Sequence, residues 1–149
     1  MPDSITPTIR LARPEDAEAL ANLAGQLGYP STAAQICKRF EMLAERAEEN
    51  AIFVAESDGN VVGWVHAHIY TLLVDDPEVE IGGLVVDERF CGQGIGEKLM
   101  GAAEAWTLEK GCSSVYLRSN LIRTRAHEFY KRLGYNIIKS QYAFRKILK

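Results

Sequence analysis

The sequence predicts a single mixed α/β domain over residues 1–149, and three observations carry that reading. Two runs rich in branched and aromatic residues flank Ser57-Asp58-Gly59-Asn60, whose Asp-Gly pair is the signal of a tight hairpin turn. An apolar run ending at Val86 passes through a glycine-rich turn directly into an amphipathic segment. Helical and strand periods alternate along the remainder of the chain, with no repeat and no linker.

Taken in order, Thr8 to Ala12 alternates polar and apolar residues and predicts a strand. Arg13-Pro14-Glu15-Asp16 places a proline and acidic residues where a helix begins. Ala17, Leu20, Ala21, Leu23, Ala24 and Leu27 recur at helical spacing until Gly28-Tyr29-Pro30 stops them. Ser31 or Thr32 then caps a second helix, with Ile36, Phe40, Leu43 and Ala47 on its inward side. Ala51 to Glu56 and Val61 to Tyr70 form the hairpin, and an acidic loop through Asp75-Asp76-Pro77 leads to a central strand from Val79 to Val86. A helix from about Gly94 to Lys110 follows, with Ile95, Leu99, Met100, Ala103, Trp106 and Thr107 on one side. Ser114 to Arg118 is a strand, Arg123 to Leu133 a helix closed by Gly134, and Tyr135 to Ile138 and Tyr142 to Ile147 the last two strands. The expected order is β-α-α-β-β-β-α-β-α-β-β.

Composition narrows the function. A net charge of -3, with the basic residues scattered, gives no electrostatic footprint for nucleic acid or a membrane surface. No run approaches the roughly 18 apolar residues of a membrane span, and Met1 to Arg10 lacks the apolar core of a signal peptide. Cys37, Cys91 and Cys112 are an odd number without metal-ligand spacing, so neither a disulfide framework nor a metal site is expected, and a reducing cytoplasm is.

The most informative stretch is Leu84-Val85-Val86 followed, after Asp87 to Cys91, by Gly92-Gln93-Gly94-Ile95-Gly96. Glycines between a buried strand and a helix start let the backbone approach a ligand, while the free N–H groups and dipole of the helix attract phosphate oxygens. A Walker motif would need Lys-Ser or Lys-Thr after the last glycine, whereas Gly96 is followed by Glu97-Lys98-Leu99. A dinucleotide fingerprint would need an acidic residue closing the next strand, which here ends Tyr116-Leu117-Arg118.

Together these residues resemble motif A of the GNAT (Gcn5-related N-acetyltransferase) family. Arg125-Ala126-His127-Glu128-Phe129-Tyr130-Lys131-Arg132-Leu133-Gly134-Tyr135 resembles its motif B, in the right order and on a helix. The resemblance implies a GNAT fold whose central sheet splays at a coenzyme A site, and an enzyme that moves an acetyl group from acetyl-CoA to a primary amine of a small molecule or protein by direct attack. In that reading the pantetheine arm pairs with the backbone of Leu84, Val85 and Val86. The N–H groups from Gly92 through Gln93, Gly94 and Ile95 to Gly96 hold the pyrophosphate, Cys91 and Glu97 count among the cofactor-binding residues on either side, and Asn120 and Arg123 lie along the CoA edge. Cys91 departs from the Arg or Gln with which the family's pattern begins. No metal is implied, and dimerisation is common in the family.

Attack of an amine on a thioester requires that a proton be removed, an oxyanion stabilised and a thiolate protonated. The resemblance makes Tyr130 the general acid and also a CoA contact, Glu80 the general base, directly or through water, and the N–H near Val86 the oxyanion donor. Glu78, two positions away on the same face, is the alternative base. His66 and His68 share a strand face and read as exposed or satisfied histidines; His127 reads as a helix-packing residue. Gly82 and Gly83 fit close approach of the pantetheine. Tyr29, Phe40, Trp64 and Tyr70 offer aromatic walls, and Asp75, Asp76 and Glu78 offer negative charge, for the acceptor amine. The rival reading from another class is an acyl-CoA-binding regulatory module of the same fold without turnover; a second rival uses Cys91 as a transient acyl carrier.

Overall fold

The computed structural model describes residues 6–149, so residues 1–5 of the N-terminal stretch considered above lie outside the described residues. The described chain comprises β1 (Thr8–Leu11), a 3-10 turn at Pro14–Asp16, α1 (Ala17–Leu27), α2 (Ala33–Ala44), β2 (Asn50–Ser57), β3 (Asn60–Leu72), β4 (Asp75–Val86), a 3-10 turn at Glu88–Phe90, α3 (Ile95–Glu109), β5 (Val115–Leu117) and α4 (Thr124–Arg132). It falls into two compact units, one up to Arg118 and one of Ser119–Lys149.

The first unit holds a five-stranded sheet in the order β1-β2-β3-β4-β5. The first four strands are antiparallel neighbours, and β5 runs parallel to β4. The β2–β3 connection is the expected tight turn: Asp58 and Gly59 both have positive φ, 50° and 77°, the combination a type I′ hairpin demands. Alternation along β3 sorts the two faces of the sheet. Trp64 donates its indole N–H to the Leu20 carbonyl of α1 at 3.3 Å, whereas a Cβ on the adjacent Gly63 would meet the Leu99 side chain of α3 at 3.1 Å. Helices α1 and α3 therefore cover opposite faces. Val54, Val62, Val65, Val79, Leu99 and Met100 fill the core, each under 2% or at 2% exposed. All six residues assigned to the inner side of α3 are buried there.

Four predicted elements depart from the sequence reading. The acidic loop is not a loop: β3 and β4 continue to Leu72 and Asp75, so only Leu73 and Val74 turn the chain. Cross-strand pairing extends a hairpin wherever both backbones can stay in register, whatever the hydropathy of its tip. Helix α2 buries none of its residues; Ile36, Phe40 and Leu43 are half-covered and Ala47 lies beyond its end. Its apolar stripe borders a cavity of about 520 Å³ shared with Phe53 and Trp106. In the second unit, Tyr135 to Ile138 and Tyr142 to Ile147 are not strands. Their alternation is strand-like, but Ile137, Tyr142, Phe144 and Ile147 are 69%, 91%, 94% and 73% exposed, and a strand exists only where a neighbouring edge accepts its ladder. The mixed α/β fold class stands, with its sheet built from the first five predicted strands.

Candidate functional site

The site begins where β5 stops. Val79, Glu80 and Ile81 of β4 register with Val115, Tyr116 and Leu117 of β5, and the ladder ends there. On the other side β4 continues to pair with β3 through Leu84, Val85 and Val86, opposite Val65, Trp64 and Gly63. Between the two stretches the β3–β4 register shifts: His66 faces Gly83 while Ala67 faces Ile81, leaving Gly82 as the extra residue of a bulge. A bulge bends its strand and increases its twist, and this one falls one residue after the last β4–β5 pair. From Gly82 to Val86 that edge of β4 has no paired strand among the described residues, the kind of edge to which an extended chain can add.

The glycines at the bend answer a nearer constraint than a ligand. A Cβ on Gly82 would lie 2.8 Å from His66 Nδ1, and one on Gly83 would lie 2.9 Å from the Trp64 ring. Both are glycine because rings on β3 occupy the space a side chain would need.

Past Val86, Asp87 anchors the turn. Its side chain is buried and accepts from the Arg89 backbone N–H at 3.0 Å and from the Arg89 guanidinium at 2.8 and 3.2 Å. The Arg89 guanidinium holds the Asp87 carboxyl below the usual carboxylate range. This clamp was invisible to motif reasoning, although the Asp-x-Arg spacing within one turn was its signal. Gln26 of α1 accepts from the Glu88 N–H at 3.0 Å and ties the same turn to the sheet face.

The chain then enters the glycine segment. Gly92 and Gly94 have φ of 83° and 81°, where side chains are strained, and a Cβ on either would meet nothing within 4 Å, so the surface above them is open. Gly94 is the N-cap of α3 and supplies no side-chain cap. The first α3 bond from this end runs from the Lys98 N–H to the Gly94 carbonyl at 3.2 Å, so the N–H groups of Ile95, Gly96 and Glu97 point out of the helix start. An open, uncapped, glycine-led helix terminus fits a pyrophosphate. Cys91 is exposed, and its thiol lies 3.8 Å from the Val86 carbonyl and 3.7 Å from that of Asp87.

Glu80 sits on the α1 side of the sheet, in a row of directly paired residues that runs Asn50, His68, Glu80, Tyr116. It is 6% exposed, and both carboxylate oxygens are engaged: Oε1 by His68 Nε2 at 2.9 Å, Oε2 by Arg118 at 2.7 and 3.0 Å. The carboxylate raises the Arg118 pKa further through that hydrogen bond. Glu78, the alternative base, instead accepts from the Ser114 hydroxyl at 2.9 Å. His66 donates from Nε2 to the Asn50 side-chain carbonyl at 3.0 Å, and burial, aided by the neighbouring His68, pushes it down to about 4. The sequence reading placed both histidines on one face but did not foresee that His68 and Arg118 bracket Glu80. Tyr70 stacks on Tyr116, ring centroids 6.0 Å apart, at the end of the same face.

The second unit carries the remaining assigned residues. Tyr130 lies on α4, edge-on to Phe129 and Tyr135 at 5.2 and 5.9 Å, and burial raises its phenol pKa, which keeps the hydroxyl a proton donor. Asn120 uses its side-chain carbonyl to accept from the Ile122 N–H at 3.1 Å, and its backbone carbonyl accepts from His127 Nε2 at 2.9 Å. His127 is thereby a brace for the loop that enters α4. Arg123 is the N-cap of α4 and gives no side-chain cap.

No helix among the described residues is long and apolar enough to cross a membrane, and no group of three or more His, Cys, Asp or Glu side chains among them is placed to hold a metal ion.

Comparison with known proteins agrees with this geometry. The model of the acetyltransferase (GNAT) family matches residues 17–135. An aminoglycoside N(6')-acetyltransferase type 1 of Stenotrophomonas maltophilia is 30% identical over 96% of this chain and 95% of its own. An uncharacterised N-acetyltransferase of Chlorobaculum tepidum is 32% identical over 93% of this chain and 81% of its own. Among solved structures, the aminoglycoside acetyltransferase AAC(6')-Iy bound to a CoA-acetylneamine bisubstrate analogue superposes with a TM-score of 0.80 at 26% identity, covering 95% of this chain and 99% of the other. With an open β4 edge leading into a glycine turn at a helix start, and a family match across most of its length, the chain belongs to the GNAT acetyltransferase family and is an acetyl-CoA-dependent N-acetyltransferase.

Proposed function

We propose that this chain transfers the acetyl group of acetyl-CoA to a primary amine of a small cationic molecule by direct attack, with residues 1–149 acting as one catalytic domain. The observation that carries the reading is the end of the β4–β5 ladder at Ile81, followed by a bulge and an open strand edge that feeds the uncapped start of α3. In this reading Leu84 to Val86 pair with the pantetheine arm, and the N–H groups from Gly92 to Gly96 hold the pyrophosphate. The N–H near Val86 stabilises the oxyanion, Tyr130 protonates the departing thiolate, and Glu80 belongs to the proton-accepting side. Asn120 and Arg123 contribute to the CoA edge. The aminoglycoside acetyltransferases among the relatives support a small-molecule amine over a protein terminus.

Calorimetric titration with acetyl-CoA, followed by a thiol-release screen over aminoglycosides, polyamines, amino acids and peptide amines, tests this. Micromolar binding with turnover of one amine class is the expected result. Binding without turnover on any amine would favour a regulatory acyl-CoA-binding module, and no binding would remove the CoA site. Tyr130→Phe is expected to slow transfer by about 100-fold with acetyl-CoA affinity retained; full activity would eliminate Tyr130 as the acid. Cys91→Ser is expected to leave turnover unchanged, because the thiol makes only two long contacts to carbonyls. Lost turnover with intact binding would instead favour the acyl-carrier route.

A further inference from the structure

Glu80 is badly placed to meet an incoming ammonium. Its side chain is 8% exposed, and both oxygens already accept charge-assisted hydrogen bonds, from His68 on one side and Arg118 on the other. His68 is better placed: it is 29% exposed and borders a cavity of about 240 Å³. A carboxylate can only accept, so the hydrogen between His68 Nε2 and Glu80 Oε1 belongs to the imidazole, and the lone pair of the ring is left at Nδ1. A nitrogen base on an imidazole whose other nitrogen is fixed by a carboxylate is the arrangement that activates a base in hydrolytic triads.

The groups around His68 fit that role. On its own strand, His66 lies with its ring centroid 5.6 Å away and Tyr70 lies 6.4 Å away. His66 is neutral and spends its N–H on Asn50, so it neither competes for the proton nor repels it. Glu80 faces His68 from β4, with Arg118 behind it, and Arg46 and Glu49 from the segment after α2 line the same cavity.

We propose that His68 accepts the proton from the substrate amine at Nδ1, that Glu80 is a positioning residue that fixes the imidazole tautomer, and that Arg118 fixes Glu80. The inference rests on the acetyl-transfer reading above and deepens it. One ammonium proton passes to His68 Nδ1, freeing the nitrogen lone pair to form the new C–N bond. The C–S bond breaks with its electron pair on sulfur, and the second proton lost by the nitrogen ends on that sulfur. The imidazolium of His68 then releases its proton to solvent in the adjoining cavity, so each cycle yields one amide, one thiol and one proton.

The test uses the full chain, acetyl-CoA and whichever amine the thiol-release screen identifies. Wild type is expected to show an acidic limb in kcat/KM, set by protonation of the accepting base. His68→Gln should remove that limb and lower kcat by about 100-fold or more, with acetyl-CoA affinity by calorimetry within about twofold. Glu80→Gln should lower kcat by about tenfold and move the limb to lower pH without abolishing it, because the carboxylate that favours the imidazolium is gone. Added imidazole should restore part of the rate to His68→Ala, which a purely structural role would not allow. A His68→Gln enzyme with the wild-type rate and limb would overturn the proposal, as would loss of the limb in Glu80→Gln alone. Should the His68 variants fail to fold, nitrogen NMR of the wild-type protein decides: an Nε2–H tautomer supports the assignment, and an Nδ1–H tautomer overturns it. Wild type that binds acetyl-CoA but acetylates no amine would sink the transfer reading itself, and is distinguished from failure of the His68 assignment by needing no variant.

Discussion

Two charge clusters, each built on a buried carboxylate, lie in the same sheet and have different consequences. At one end, Arg10 on β1 bonds Asp16 through two 2.9 Å contacts and Glu56 on β2 at 2.8 Å, and Asp16 also accepts from the Arg13 N–H at 2.7 Å. At the other, Glu80 joins His68 and Arg118. In the first cluster the groups spend their hydrogen bonds on one another: the Arg10 guanidinium holds Asp16 below the usual carboxylate range, and Asp16 holds Arg10 above its own. It fastens the chain from β1 into α1 and has no group free to exchange a proton. The second contains one imidazole with an unshared nitrogen beside a cavity. Burial and pairing alone therefore do not mark a catalytic cluster; a titratable member with one open valence does.

The comparison breaks most visibly at Asp16. Asp16→Ala leaves the part-buried Arg10 guanidinium with Glu56 alone and unties the Arg13 N–H, so unfolding should become easier by roughly 2 kcal/mol. Chemical denaturation measures that loss, and kcat under conditions where the variant is folded should stay within about twofold. A fall in kcat with unchanged stability would erase the distinction between the two clusters.

His66 gives a pH-dependent version of the same contrast. The folded protein keeps His66 neutral down to about pH 4, whereas the unfolded chain takes up a proton near the ordinary value of 6.5. Between those values the unfolded state binds more protons, so stability falls as the pH drops through the window, by on the order of 3 kcal/mol at its lower end. His66→Gln should lack that component; the difference between the two stability curves, flat above pH 6.5 and steep below it, checks this. Gly82→Ala attacks the same ring sterically, since the new methyl would stand 2.8 Å from His66 Nδ1. The ring must move, at about 1–2 kcal/mol, and thermal melting should report it.

How much of this was legible beforehand follows from the range of each interaction. The hairpin turn, the capping of α2 by Thr32 and the inner face of α3 are set by residues a few positions apart, and periodicity and turn chemistry read them directly. Gly92 and Gly94 were legible for the same reason, because a left-handed backbone before a helix has a sequence signature. The bracketing of Glu80 was not, because His68 and Arg118 reach it from 12 and 38 residues away and only strand register brings them together. The bulge that puts Gly82 against His66 is likewise a property of the pairing. The last two strands were over-read since alternation gives a strand its faces but cannot supply the neighbouring edge that a ladder needs.

The finest test of the contrast lies at Arg118, which is 63% exposed and holds Glu80 from the solvent side. Arg118→Gln keeps a hydrogen-bond donor near the carboxylate but removes the positive charge. Were the second cluster structural like the first, the variant would lose stability and nothing else. If His68 takes the proton, the loss of a nearby cation leaves Glu80 less neutralised, the imidazolium is favoured, and the acidic limb of kcat/KM moves to higher pH. The rate on the plateau above the limb should fall only a fewfold, because Glu80 still holds the Nε2–H of His68. A limb that stays where it was, with the same plateau, would separate Arg118 from the proton-accepting row and leave His68 and Glu80 to act as a pair.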